Sequence, residues 1–367
     1  MLNPPTEIPS MHAPLRQVAL RVLTAALLAL PIAKPALAAG ACPDTLPETM
    51  RAIRIAGYGG PDKLTLDTIP VPKPGPGEVL VQVSAASVNP IDWKLREGFA
   101  KSWWPLDLPA VLGRDIAGTV VAVGSGAGSW KCGDAVVASL SSSGQGGYAE
   151  FVPIGTGDLA TKPANLTWRE AAAYPLVALT AWQAVVQSGK VKQGERVLVH
   201  GGAGGVGAMA VQIAKLQGAH VITTASARNH DYVKSIGADE AIDYKATAFE
   251  DVVKDADVVI DTVGGDTLKR SPKVLKRGGR LVSIAGRLPP EECAAVQITC
   301  ASERLSGSGT LETISGLFAQ GRLRINIDAA FPLAKAAEAQ ELNRAGHTRG
   351  KIVLDVRDDA AVGAAAN

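Results

Sequence analysis

The segment His200-Gly201-Gly202-Ala203-Gly204-Gly205-Val206-Gly207 carries glycines at 202, 204 and 207, the spacing GxGxxG. Alone, that spacing is weak evidence. Here it follows the apolar run Arg196–His200, read as a buried strand. It opens the stretch Val206–Gln217, where apolar residues fall at 206, 209, 210, 213, 214 and 216, as on a helix. Gly202 permits a tight turn, Gly204 holds no side chain against a pyrophosphate, and Gly207 lets helix and strand pack closely. Ala203, Gly205 and Val206 complete the loop, and the helix start offers free N–H groups to phosphate. The plainer reading is an ordinary glycine-rich turn; the strand and helix on either side weigh against it.

The residues after the next strand select among dinucleotides. An NAD site usually places Asp or Glu there for the ribose 2′-hydroxyl. That strand, His220–Thr224, runs into Ala225-Ser226-Ala227-Arg228, with no carboxylate before Asp231. Ser226 can donate to a 2′-phosphate and Arg228 can pair with it, which favours NADPH. The rival is a solvated Arg228 that merely starts a helix.

The elements needed to hold such a loop are present. From about Pro175, strand-like and helix-like stretches alternate: Asn229–Ile236 helical, Glu240–Tyr244 and Val258–Asp261 strands, Thr267–Lys276 helical, Arg280–Ile284 a strand. This rhythm predicts a parallel sheet covered on both faces, an α/β domain. Residues 50–150 read instead as short β-branched runs (Arg51–Ile55, Val79–Val83, Gly118–Val123) broken by Gly/Pro turns, a partly open β-barrel. After about Ser315 a helix, Ile327–Phe331, a helix over Ala334–Arg344 and a strand at Lys351–Val356 look like a return to the first domain. The chain of 367 residues is 47% hydrophobic and 20% charged with a net charge of +2, which excludes wholesale disorder and gives no nucleic-acid footprint. Four cysteines are too few for a disulfide scaffold.

The N-terminus is a separate object. Arg16 and Arg21 precede the uncharged run Val22–Leu30, and Ala36-Leu37-Ala38 follows as a small-x-small cleavage pattern. The run is too short for a membrane span. Export to the periplasm or beyond, with residues 1–38 removed, is the expectation; a cytoplasmic product starting at Met50 is the rival. If export holds, Cys293 and Cys300 become candidates for a disulfide.

Over residues 50–357 the chain resembles the medium-chain dehydrogenase/reductase superfamily, in its zinc-independent quinone oxidoreductase branch. The matching pieces are Gly59-Gly60-Pro61, Pro74-Gly75-Pro76-Gly77-Glu78-Val79, Ser87-Val88-Asn89-Pro90-Ile91-Asp92, Gly113-Arg114-Asp115-Ile116-Ala117-Gly118 and Gly133-Asp134. Leu179-Thr180-Ala181-Trp182, the glycine loop, Asp261-Thr262-Val263-Gly264-Gly265 and Gly350-Lys351-Ile352-Val353 follow. The resemblance implies a GroES-like β-barrel catalytic domain, a Rossmann domain, an active site in the cleft between them, and homodimers built through the nucleotide domain. The expected division is 1–38 leader, 39–49 linker, 50–174 catalytic domain, 175–314 NADP-binding domain, 315–357 return to the catalytic domain, and 358–367 flexible tail. Tyr244 would lie over the adenosine 2′-phosphate, Ser283, Ile284 and Ala285 would hold the nicotinamide, Val263 would lie beneath the cofactor and Thr180 near the nicotinamide ring. Lys351 joins the cofactor-binding set by its motif. Strand packing is the competing role for each, most seriously for Thr180 and Tyr244.

Zinc-dependent relatives place Cys where Asn89 stands and Gly-His-Glu where Gly113-Arg114-Asp115 stands. An arginine cannot ligate a cation, so a metal-free enzyme is expected. Without a metal, hydride transfer to a quinone or an α,β-unsaturated carbonyl is easier than alcohol oxidation, because hydrogen-bond donors can hold the developing oxyanion. Asn89 is the first candidate donor, and Asp92 an orienter more than a base. Tyr58, Trp93, Trp103 and Trp104 are candidates for an aromatic substrate wall, with core or dimer packing as the alternative. Two other readings stand beside this one: an enoyl-thioester or other activated-alkene reductase, and a non-catalytic NADPH-binding or interaction protein.

Overall fold

In a computed structural model, the structure describes residues 42–102, 104–140, 146–302 and 309–360. The expected leader and Trp103 lie outside the described residues, as do residues 361–367 of the expected tail.

The N-terminal part is built from strands β1 (Thr49–Ile55), β2 (Thr65–Pro70), β3 (Glu78–Val88), β4 (Ala110–Val111), β5 (Asp115–Val123), β6 (Ala135–Ser139), β7 (Phe151–Gly155) and β8 (Leu159–Thr161), with helices α1 (Pro90–Arg96) and α2 (Trp168–Ala173). Helix α3 (Pro175–Trp182) leads to the nucleotide-type domain, with β9 (Arg196–His200), α4 (Gly205–Leu216), β10 (His220–Ala225), α5 (His230–Ser235), β11 (Glu240–Asp243), α6 (Phe249–Val252), β12 (Ala256–Asp261), α7 (Gly265–Arg270), β13 (Leu275–Ser283), α8 (Pro290–Ala295) and β14 (Thr299–Ser302). The chain closes with α9 (Thr310–Ala319), β15 (Ile327–Pro332), α10 (Ala336–Arg344) and β16 (Lys351–Asp355).

The second sheet runs β11-β10-β9-β12-β13-β14, every pair parallel. This is the doubly wound order, whose switch point lies between β9 and β12 at the glycine loop. β9 and β12 are almost wholly buried because helices cover both faces. The barrel sheet runs β15-β16-β3-β5-β6-β8 with β7 also on β3, so the C-terminal strand does return to the first domain. β1 pairs with β2 and β4 in a separate three-stranded sheet.

Two sequence expectations need correction. The helix expected over Thr267–Lys276 ends at Arg270, and Lys276 lies in β13, which starts at Leu275. Pro272 lacks the amide a continuing helix needs, so the chain passes through a short 3-10 turn, Ser271–Val274. Helix α8 and the sixth strand β14 were not expected at all.

Four cysteines form two disulfides, Cys42–Cys132 and Cys293–Cys300. The second was a conditional expectation and the first was not foreseen.

Candidate active site

The glycine loop is shaped as its spacing suggests, with one change of detail. The left-handed residue is Gly201, at φ 72°, and not Gly202. A Cβ on Gly202 would meet Thr223 Oγ1 at 2.0 Å, and one on Gly207 would meet Gly201 O at 2.1 Å. A Cβ on Gly204 meets nothing nearer than 3.4 Å, so the space over this residue is open. Gly204 is the N-cap of α4 and has no side-chain cap, which leaves the first amides of the helix for an anion. Ala203 O accepts from Gly350 N, and Gly205 faces the Lys351 stem. Val206 packs against the nucleotide-domain core.

Beside the loop lies a cavity of about 580 Å³ whose lining includes Gly204, Ser226, Arg228, Tyr244, Lys245 and Val263. The structure therefore gathers the expected 2′-phosphate residues Ser226, Arg228 and Tyr244, and adds the cation Lys245, which the sequence reading missed. Arg228 donates to His347 O (3.0 Å) and Ser226 Oγ accepts from Asn229 (3.2 Å). These features fit a phosphorylated dinucleotide: open backbone at Gly204, uncapped amides, and two cations near a serine. His200, under the same cavity, sits between Thr224 and Ser271, and burial lowers its pKa to about 4.

Asp261 ties together the two loops expected at the nicotinamide. It accepts from Val263 N (3.1 Å), Gly264 N (3.0 Å) and Ser283 Oγ (2.6 Å). Ser283 Oγ in turn accepts from Ala285 N (3.2 Å), and Ile284 N donates to Asp261 O (3.0 Å). Val263 is half exposed, at 54%. The Thr180 hydroxyl donates within its own helix to Leu176 O (2.7 Å).

The remaining candidates surround a buried polar cluster. Asn89 caps α1, is 1% exposed, and has both ends of its amide engaged. Its Nδ2 donates to Asp115 Oδ2 (2.9 Å) and its Oδ1 accepts from Lys351 Nζ (2.6 Å). Lys351 also donates to Val88 O (2.9 Å), so its ammonium serves this cluster and does not line the adenosine-side cavity. Asp115 further accepts from Ser87 Oγ (3.0 Å) and from Leu176 N (2.9 Å) at the start of α3. One carboxylate thus joins β3, β5, α1 and the helix leading into the nucleotide domain. Burial raises the Asp115 pKa and lowers that of Lys351, while each opposes the other's shift at 4.0 Å.

Asp92 Oδ2 accepts from Asn89 N (2.8 Å) and Tyr148 OH (2.8 Å); its Oδ1 is buried with no partner. Burial is the main reason its pKa rises from 3.8 to about 6. Folding then favours its protonated form, so this group's contribution to stability is full below pH 3.8 and is lost as pH rises through about 6. The loss amounts to about 3 kcal/mol. Measured by urea unfolding, the stability difference between Asp92→Asn and wild type should move in the variant's favour by that order from pH 3.8 to above 6; a flat difference would contradict this environment.

The aromatic candidates do not share one setting. Trp93 Nε1 donates to Asn343 Oδ1 on α10 (3.1 Å). Trp104 packs against the barrel core beneath the Arg114 guanidinium, 4.7 Å from its ring centre. Tyr58 OH accepts from Leu106 N (2.9 Å). Among the described residues no group of three His, Cys, Asp or Glu side chains is placed to hold a metal ion.

A barrel domain and a doubly wound domain that meet at a dinucleotide loop define a two-domain, nucleotide-dependent oxidoreductase. Family models match accordingly: the alcohol dehydrogenase GroES-like domain over 75–164, the alanine dehydrogenase/PNT C-terminal domain over 171–278, and zinc-binding dehydrogenase over 236–354. The chain is 36% identical over 324 residues to the chloroplast envelope quinone oxidoreductase homolog of Arabidopsis thaliana, covering 83% of this chain and 98% of that one. It is 35% identical to the chloroplastic NADPH-dependent alkenal/one oxidoreductase of the same plant, covering 84% and 80%. The solved structure of the quinone oxidoreductase from Coxiella burnetii superposes with a TM-score of 0.78 at 37% identity, covering 84% of this chain and all of that one. The chain belongs to the medium-chain dehydrogenase/reductase superfamily, in its quinone oxidoreductase-like branch.

Proposed function

We propose that the protein is an NADPH-dependent reductase of quinones or α,β-unsaturated carbonyls. The observation that carries this is the cavity beside Gly204, where Ser226, Arg228, Tyr244 and Lys245 gather and no carboxylate takes the NAD position. Relatives named as quinone and alkenal/one oxidoreductases support the substrate class. Bound NADPH supplies a hydride which, with one proton, takes a quinone to its quinol. The chain's own part is to hold the phosphates on the loop and α4, to fix the nicotinamide-side loops through Asp261, and to present a preorganised polar cluster. In that cluster Lys351 and Asp115 fix the Asn89 amide in one orientation. Asn89 keeps a second Nδ2 proton; at 1% exposure it meets a substrate oxygen only when its surroundings open, and donating there is its proposed part in turnover.

The test is a panel. NADPH oxidation should occur with a quinone, an enone or both, and primary alcohols should not reduce NADP⁺. The reverse pattern would overturn the reading, and tight NADPH binding without turnover would favour the non-catalytic alternative. Arg228→Ala should raise KM for NADPH about tenfold, the worth of one charge-assisted bond, and leave that for NADH nearly unchanged.

Zinc independence is part of the proposal. The zinc-binding dehydrogenase match begins at 236 and so contains neither Asn89 nor Arg114, the two positions where ligands would be needed. Export with removal of residues 1–38 is proposed as well, supported by two disulfides of a kind that oxidising compartments sustain. A product starting at Met50 would lack Cys42 and leave Cys132 unpaired. A homodimer through the nucleotide domain completes the reading, since β14 is an edge strand paired only with β13 among the described residues.

A further inference from the structure

Helix α1 ends at Arg96, and Gly98, at φ 82°, turns the chain away from the helix axis. Phe99 follows it and is 69% exposed, the most exposed large apolar side chain among the described residues; Leu108, further along the loop, is also exposed. Cations lie over the neighbouring rings. Lys94 Nζ is 5.5 Å from the Trp93 ring centre and 5.8 Å from that of Phe99. Lys101 Nζ is 5.4 Å from the Tyr58 ring, and Arg344 is 5.7 Å from Trp93. Glu97 and Glu341 are engaged by Arg96 and Arg344, whereas Asp107, beside Leu108, is an exposed carboxylate in the same loop. Among the described residues, Lys94 and Lys101 have no carboxylate partner within ion-pair distance. The inner end of the same loop carries Trp104 beneath Arg114, and Arg114 adjoins Asp115 and feels the charges of both Asp92 and Asp115. The same loop therefore holds the exposed Phe99 and the half-buried Trp104, which touches the Arg114 neighbour of the buried cluster.

We propose that this surface docks on an anionic lipid bilayer, so that a membrane-dissolved quinone reaches the site along the loop. An exposed apolar ring such as Phe99 gains by leaving water for a bilayer, and lysines beside it keep their stems on apolar surface and their ammonium groups toward phosphate. Anionic leaflets attract such unpaired cations. A two-fold contact with a second copy, centred on Phe99, would bring Lys94 and Lys101 toward their own counterparts. The inference rests on the quinone reading for its substrate, but its binding step is measured separately.

Co-sedimentation with vesicles of phosphatidylglycerol and phosphatidylethanolamine, against phosphatidylcholine alone, gives the first readout. Wild type should bind the anionic vesicles and be released by salt. Phe99→Ser should weaken binding about tenfold, and Lys94→Glu with Lys101→Glu by more than tenfold. Turnover of a long-chain quinone embedded in the vesicles should fall in parallel, with turnover of a short-chain soluble quinone unchanged. Wild type that reduces the soluble quinone yet ignores anionic vesicles overturns the docking and leaves the substrate reading intact. Vesicle binding without turnover of any quinone or enone overturns the substrate reading instead. Variants that bind as wild type does, or that change only the oligomeric state, overturn the docking.

Discussion

Asp115→Ala is expected to lower the unfolding free energy by about 3–5 kcal/mol, the range for removing one partner of a buried charged pair. The loss has a specific anatomy. Ser87 Oγ, Asn89 Nδ2 and Leu176 N would lose their acceptor, and the Lys351 ammonium would lose the nearest opposing charge. Each orphaned donor adds a desolvation cost. Asp115→Asn keeps a carbonyl oxygen but gives up the charge and one acceptor, so it should fall between wild type and alanine. Urea unfolding of the three proteins in one buffer checks the order. An alanine variant within about 1 kcal/mol of wild type, well below that range, would mean that the cluster is reached by water.

Cys132→Ser is expected to cost about 4–5 kcal/mol, the chain-entropy value for a closed loop of 90 residues. Breaking Cys293–Cys300, with a separation of 7, should cost about 2 kcal/mol. Unfolding with and without reductant measures both, and wild type in reductant should approach the double variant. The same preparation dates the chain's history. Native protein whose first residue is Ala39 retains Cys42 and should show the larger reductant effect. Protein starting at Met50 or Arg51 lacks Cys42, should show only the smaller one, and would contradict export.

Much of the fold was legible because its signals are local. The glycine loop is read between a strand and a helix that touch it, and the alternation after Pro175 marks a parallel sheet at short range. The α8–β14 segment was missed because its strand spans four residues, too short for periodicity to declare it. The site was less legible, because its partners are remote. Asn89 meets Asp115 across 26 residues and Lys351 across 262, and Trp93 meets Asn343 across 250. Asp115 was visible as part of a motif where relatives hold a metal ligand, but nothing nearby says that it gathers four segments. The Cys42–Cys132 bond is similar, since a spacing of 90 residues carries no geometric information.

The contact between the glycine loop and the last strand has a mechanical consequence. Gly350 N donates to Ala203 O (2.9 Å), Gly204 and Gly350 form a bridge, and the next residue, Lys351, holds Asn89. The two adjacent residues Gly350 and Lys351 therefore couple the glycine loop to the Asn89 cluster through one stretch of backbone. A Cβ at 350 would meet Asn326 O at 2.2 Å, so a side chain there should disturb both places at once.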